Sequence, residues 1–185
     1  MLTFIPLKPY AENHSIPMKK LAIQFALICL ALPVFTQAQN FDTHSLFMYS
    51  FTRFVQWPPE ASTGDFEIVV LGDSPIMTVL KTMSEKKKAG NRTIRVSKIA
   101  SIADFKKGHI LYIPIEGASN FAEVSAKIGD APVLLVTERA TAANRGCVNF
   151  INNKDGRLAF EIVQEQFTKH KLKAASELTR LAVIN

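Results

Sequence analysis

Three groups of residues could do chemistry. The first is Gly72-Asp73-Ser74, which follows an apolar run at residues 66–71 and precedes Pro75. A serine in a Gly-Asp-Ser block after a buried strand is the pattern of a GDS-type hydrolase. Such a serine is a weak nucleophile until a base activates it. The four histidines are His14, His44, His109 and His170, and none has an aspartate three residues before it. The motif's expected Asp-x-x-His is therefore missing. The competing reading gives Asp73 or Ser74 to the cap of the next helix, with Pro75 in its first turn. The second group is Cys147, the one cysteine beyond residue 29. Without a second cysteine it forms no internal disulfide, and a small core residue is the expected role. The third group pairs aromatic with basic side chains: Arg53 and Trp57 near Pro58, and the run Lys169-His170-Lys171. Arginine and tryptophan recur at the centres of protein interfaces. If the helices that carry them lie side by side, these five residues form one partner- or ligand-binding patch.

No nucleotide-binding glycine motif, Cys-x-x-Cys or His-Glu-x-x-His occurs, so no cofactor and no metal is expected. The carboxylates are too scattered to name an acid–base pair. The chain has 185 residues and a formal net charge of +6, with lysines spread along it and no aromatic platform among them; nucleic acid is not an expected partner.

The elements that must position these residues begin after a leader. Met18-Lys19-Lys20, the apolar run to Phe35 and the small residues before Ala38 have the organisation of a cleavable signal peptide. An upstream extension precedes it. Residues 1–38 are set apart on this ground, and residues 39–185 form one α/β domain with a net charge of about +4.

Within it, residues 45–57 read as an amphipathic helix with Phe47, Phe51, Phe54 and Val55 on its buried side, ended by Pro58-Pro59. Residues 66–71 are a strand covered on both faces. A helix follows, with Ile76, Val79, Leu80 and Met83 inward, Lys86, Lys87 and Lys88 in its last turn, and Gly90 as its stop. A strand at 93–96, a capped turn from Ser101 to Asp104, a strand at 109–115, a helix from Asn120 to Gly129 and a strand at 132–136 come next. Residues 137–145 are alanine-rich and read as a short helix. Val148, Phe150, Leu158, Phe160 and Ile162 alternate about Asn153-Lys154-Asp155-Gly156, a β-hairpin. From Gln164 onward the chain reads as one helix burying Leu172, Ala175, Leu178, Leu181 and Ala182. The sum is a three-layer α/β fold: a mostly parallel sheet, an antiparallel edge hairpin and a C-terminal helix.

Four segments, in order, resemble the YfiR/HmsC family of periplasmic regulators. They are the aromatic helix Phe47 to Pro58 ending in Trp-Pro, the Leu-Gly-Asp-Ser-Pro turn at 71–75, the strand His109-Ile110-Leu111-Tyr112-Ile113, and Gly156 to Ile162 followed by Leu178-Thr179-Arg180-Leu181-Ala182. Three positions depart from the family pattern. Gly108 stands where many members have Cys, Val163 stands for a usual Asn, and Lys171 replaces a Gly that separates two terminal helices. With Cys147 alone, the redox sensing suggested for some relatives has no cysteine pair here. The resemblance implies no catalysis. It implies a periplasmic protein, exported by its signal peptide, that represses an inner-membrane sensor protein, a diguanylate cyclase, and a homodimer is expected on the same ground. The alternative is a small-ligand sensor acting on a membrane histidine kinase. For that role, the strand ends at Gly72 to Ser74 and Ile115 to Gly117 are the expected crevice.

Overall fold

The computed structural model describes residues 36–141 and 143–183, with side-chain surroundings from residue 41 onward. The leader lies outside the described residues. Helix α1 runs Thr36–Phe54 and buries Phe41, His44, Met48, Phe51 and Thr52 along one stripe. Phe47 and Phe54 flank that stripe half-buried, so the buried face is rotated from the expected one. The helix also starts earlier and stops earlier than its sequence suggests. Val55–Gln56 leaves it as strand β1, and the 3-10 turn Pro59–Ala61 begins at the second of the two prolines.

Strand β2, Phe66–Leu71, has the bounds the apolar run predicts. Gly72 then turns with φ 76°, a conformation that favours glycine. Helix α2 spans Ile76–Lys86, opened by Pro75 rather than by an aspartate cap. The run Lys86 to Lys88 is not its last turn: only Lys86 is helical. Lys88–Ala89 forms strand β3, and Gly90 turns the hairpin into β4, Arg92–Ile99. Ser101 does cap a 3-10 turn, accepting from the Ala103 N–H. Strand β5 is Ile110–Ile113; the 3-10 turn Ile115–Asn120 leads into helix α3, Phe121–Ile128, which buries Phe121, Val124 and Ile128 as its spacing predicts. Strand β6, Leu134–Thr137, precedes the hairpin of β7, Val148–Asn152, and β8, Leu158–Ile162.

The main sheet has the order β3-β4-β2-β5-β6-β7-β8. Strands β4, β2, β5, β6 and β7 run parallel, and β3 and β8 close the two edges antiparallel. The crossover through α2 carries the chain to one side of β2, and the later crossovers carry it to the other. Helices α1 and α2 pack together, while α3 packs on the turn at 102–104. This is the expected three-layer arrangement. Its central strands β2, β5 and β6 are buried almost throughout: Ile68, Val70, Ile110, Leu111, Tyr112, Leu134 and Val136 are all fully covered.

Two expected helices are not there. Residues 137–145 form no helix among the described residues. They are held as a loop by a buried polar network. Asn149 Oδ1 accepts from the Thr137 hydroxyl (2.6 Å) and the Gly146 N–H (2.7 Å), while Asn149 Nδ2 and Arg145 both donate to Glu161. These bonds tie the two ends of the segment, Thr137 and Arg145, to β7 and β8. The single C-terminal helix is instead two, α4 at Gln164–Lys169 and α5 at Ser176–Leu181, with strand β9, Lys173–Ala174, between them. Strand β9 pairs antiparallel with β1 through Val55↔Ala174 and Gln56↔Lys173. The break is a Schellman cap: Lys171 N–H donates to Thr168 O (3.1 Å) and Leu172 N–H to Phe167 O (2.8 Å). Lys171 occupies the left-handed position, φ 56°, where glycine is usual. The turn that the resemblance assigns to a glycine is made here by a lysine. Of the expected inward set, Leu172 and Leu178 are buried, but Leu181 is exposed.

Candidate functional site

Ser74 is a turn residue just before the N-cap, which Pro75 holds, and not a nucleophile with a base. Its Oγ accepts from the Ile76 N–H at 3.4 Å, at the C-terminal end of β2. His109 precedes β5, at the opposite end of the sheet, and His44 packs edge-on against Phe150. Neither stands where it could take a proton from Ser74. Among the described residues no group of His, Cys, Asp and Glu is placed to hold a metal ion, and no helix is long and apolar enough to cross a membrane. Cys147 is fully buried, and burial pushes its thiol up to about 12. It stays a thiol at neutral pH and is inert toward exchange.

The five expected contact residues fall in two places. Arg53 is exposed in the last turn of α1, its guanidinium 5.4 Å from the Phe54 ring centre. With Trp57 and Arg92 it lines an open recess of about 480 Å³. Trp57 is half-covered. Its ring meets Phe66 edge-on at 5.0 Å, and its Nε1–H is buried without a partner. The other three residues lie where α4 meets the end of α3. Lys169 Nζ reaches Ser125 Oγ at 3.4 Å, and Lys171 Nζ pairs with Asp130 at 3.2 Å. The basic run is therefore partly neutralised, by an aspartate about forty residues away that no local reading of the sequence offers. His170, expected at the surface, is fully buried. It ends α4 facing inward, and its Nδ1–H donates to Ala131 O at 2.8 Å while Nε2 has no partner. Burial holds this imidazole below its ordinary range, so it is neutral. The β1–β9 pairing lays the Trp57 segment alongside the 171–174 segment, so the two groups share a seam.

The strongest polar cluster was not legible from sequence. Arg92, at the start of β4, donates to the carbonyls of Gly64 (2.6 Å), Thr63 (3.0 Å), Asp65 (2.9 Å) and Ala61 (3.5 Å). Its partners lie 27–31 residues away, beyond any local pattern. His109 completes the cluster. Nδ1 accepts from the Glu67 N–H at 3.0 Å, which leaves Nε2–H to donate to Ala61 O at 2.8 Å. The ring stacks on Phe66 at 4.6 Å. Burial, with Arg92 and Lys107 close by, pushes this imidazole down. The cluster fixes the loop 61–65 and the position of Trp57. It leaves no group free to act on a substrate.

Two further recesses open at the C-terminal ends of the strands. One, of about 280 Å³, lies between Gly72, Ser101 and Gly117, at the expected crevice. The other is walled by Glu138 and Phe150.

What these features define is a mostly parallel α/β domain with tied-down polar groups, a surface recess of aromatic and arginine side chains, and no assembled catalytic set among its described residues. A family model described as YfiR/HmsC-like matches residues 41–183, most of the chain, and the chain belongs to that family. No curated protein matches it.

Proposed function

We propose that this chain is a periplasmic regulatory protein that represses an inner-membrane signalling enzyme, a diguanylate cyclase, by direct contact. The observation that carries the reading is the family match over residues 41–183. Control of this kind needs no catalytic residue. It needs a higher affinity for one state of the partner than for the other. The contact surface is the seam at β1 and β9, with Trp57 as the apolar anchor and Arg53, Lys169 and Lys171 as its charged rim. His170 belongs to this surface from beneath, as the residue that ends α4. The homodimer that the resemblance implies is part of the proposal.

The test is capture from the envelope fraction with the tagged protein. A membrane protein with a periplasmic sensor domain should be recovered, and deletion of the chain should raise cyclic-di-GMP. Arg53→Glu should release the partner with the melting temperature nearly unchanged, because Arg53 is exposed and makes no ion pair among the described residues. His170→Ala should also release it, but with a lower melting temperature, since that ring is buried. Recovery of no partner, together with unchanged cyclic-di-GMP, would refute the proposal.

A second reading, a small-ligand sensor acting on a histidine kinase, is favoured by the recess between Gly72 and Gly117. Calorimetry with periplasmic metabolites decides it, and flat traces remove it.

A further inference from the structure

The C-terminal ends of β5, β6 and β7 frame a recess of about 320 Å³. Phe41 and His44 of α1 form one wall, Phe150 and Leu158 of the edge hairpin another, and Glu138 and Ile115 the floor and lip. Glu138 lies in the loop that the Asn149 network holds in place. Its Oε2 accepts from the Ile115 N–H at 3.2 Å, which fixes the carboxylate at this recess.

Behind Glu138 is Tyr112, fully buried, whose Oη approaches the Glu138 carboxylate without the geometry of a hydrogen bond. Its ring lies 6.5 Å from Phe150. A phenylalanine would fill the same space without a stranded hydroxyl. Two carboxylates, Glu138 and Glu116, bear on this hydroxyl, and burial raises its proton affinity further. Burial likewise pushes the Glu138 carboxyl up, with Glu116 adding to the effect and exposed Arg139 opposing it. The recess thus combines aromatic walls with a half-buried carboxylate held by one backbone bond, and Arg139 lines it as well. Aromatic faces and a carboxylate both favour a cation. Ile115, 43% exposed at the lip, offers apolar contact.

We propose that this recess binds a small primary ammonium ion carrying a short apolar body, with Glu138 as its counter-ion. The inference stands apart from the regulatory reading. It uses none of the residues of the β1–β9 seam, and its test reads binding rather than repression.

The probe is phenethylammonium, against 2-phenylethanol, which has the same shape without the charge. Backbone amide NMR on the purified protein follows the titration. Saturable shifts are expected at Ile115, Glu138 and Phe150. The alcohol should bind at least about tenfold more weakly, and so should the amine to Glu138→Gln, a variant that keeps the side chain's shape. Affinity should also fall as acid protonates Glu138. No saturable shift up to about 10 mM, equal binding of the alcohol, or Glu138→Gln binding that matches the parent would each overturn the proposal.

Discussion

Two polar clusters sit at opposite ends of β5, three residues apart in sequence, and they treat buried polar groups differently. At the start of the strand, His109 uses both ring nitrogens and Arg92 donates to four carbonyls. Near its finish, Tyr112 uses none of its hydrogen-bonding capacity and Glu138 accepts a single backbone bond. The first cluster has the signature of scaffold: every group is consumed internally, and removing one strands the rest. The second carries polar groups at a cost to stability with no internal return, which is the usual signature of a site. Substitutions at the two ends should therefore have opposite consequences.

The largest effect is expected at Arg92. Arg92→Ala leaves the Gly64, Thr63 and Asp65 carbonyls without their donor, while Ala61 O keeps the His109 Nε2–H. Hydrogen bonds to a charged group contribute more than neutral ones, and a loss of about 3 kcal/mol is expected. Arg92→Lys should restore only a small part, because an ammonium cannot span carbonyls set in a fork. Urea denaturation measures both. A loss within experimental error would mean that the loop 61–65 is held by other contacts and that the contrast fails at its stronger end.

Next is the acid response. His109 and His170 both have folded-state proton affinities lowered by burial. The unfolded chain takes up protons near pH 6.5 while the folded one does not. Stability is therefore fully present above that pH and is lost as pH falls toward the folded-state values, by up to about 1.4 kcal/mol per pH unit for each proton. His109→Gln should leave only the His170 share of that slope. Denaturant midpoints taken between about pH 7 and 5 read it, and an unchanged slope would show that His109 already protonates in the native state.

Legibility followed the range of the interactions. The strand at 66–71 was readable because burial on both faces writes a continuous apolar run, and the hairpin because its turn residues are local. The face of α3 was readable from its spacing. Where a distant partner decides the conformation, the sequence misled. The alanine-rich segment at 137–145 favours a helix locally, yet Asn149 and Glu161 hold it as a loop. That loop carries Glu138, so the proposed cation site could not be seen. The terminal helix breaks at Lys171, a residue with no breaking propensity, and the one signal was the glycine that the resemblance expects there. The same break turns His170 inward, which is why a run of three adjacent residues did not become three surface residues.

Lys171 sharpens the contrast from another direction. A lysine at φ 56° costs about 1 kcal/mol relative to glycine. Its exposed pair with Asp130 returns a fraction of that. Lys171→Gly should raise stability by roughly 0.5–1 kcal/mol, read as a higher urea midpoint. If Lys171 belongs to the contact surface, the same variant should hold its partner less well. A gain in stability with full repression would mark the lysine as an unused conflict.

The smallest expected change in stability is at Tyr112, and it separates the two clusters most cleanly. Deleting a hydroxyl that is hydrogen-bonded in a core costs about 1 kcal/mol and strands its partner besides. Here no bond is lost, the ring keeps its packing against Phe150, and a desolvated polar atom disappears. The effect of Tyr112→Phe should therefore lie between zero and a gain of about 1 kcal/mol. Glu138→Gln should move the same way near neutral pH. A carboxyl with a raised folded-state proton affinity adds stability below its ordinary range and loses it as pH rises through the folded value, so the charged form is the destabilising one. The two residues interact through the Glu138 charge, so their effects should fall short of additive. If Tyr112→Phe instead costs as much as a typical core hydrogen bond, the hydroxyl is bonded to Glu138 in solution, and the end of β5 is scaffold like its start.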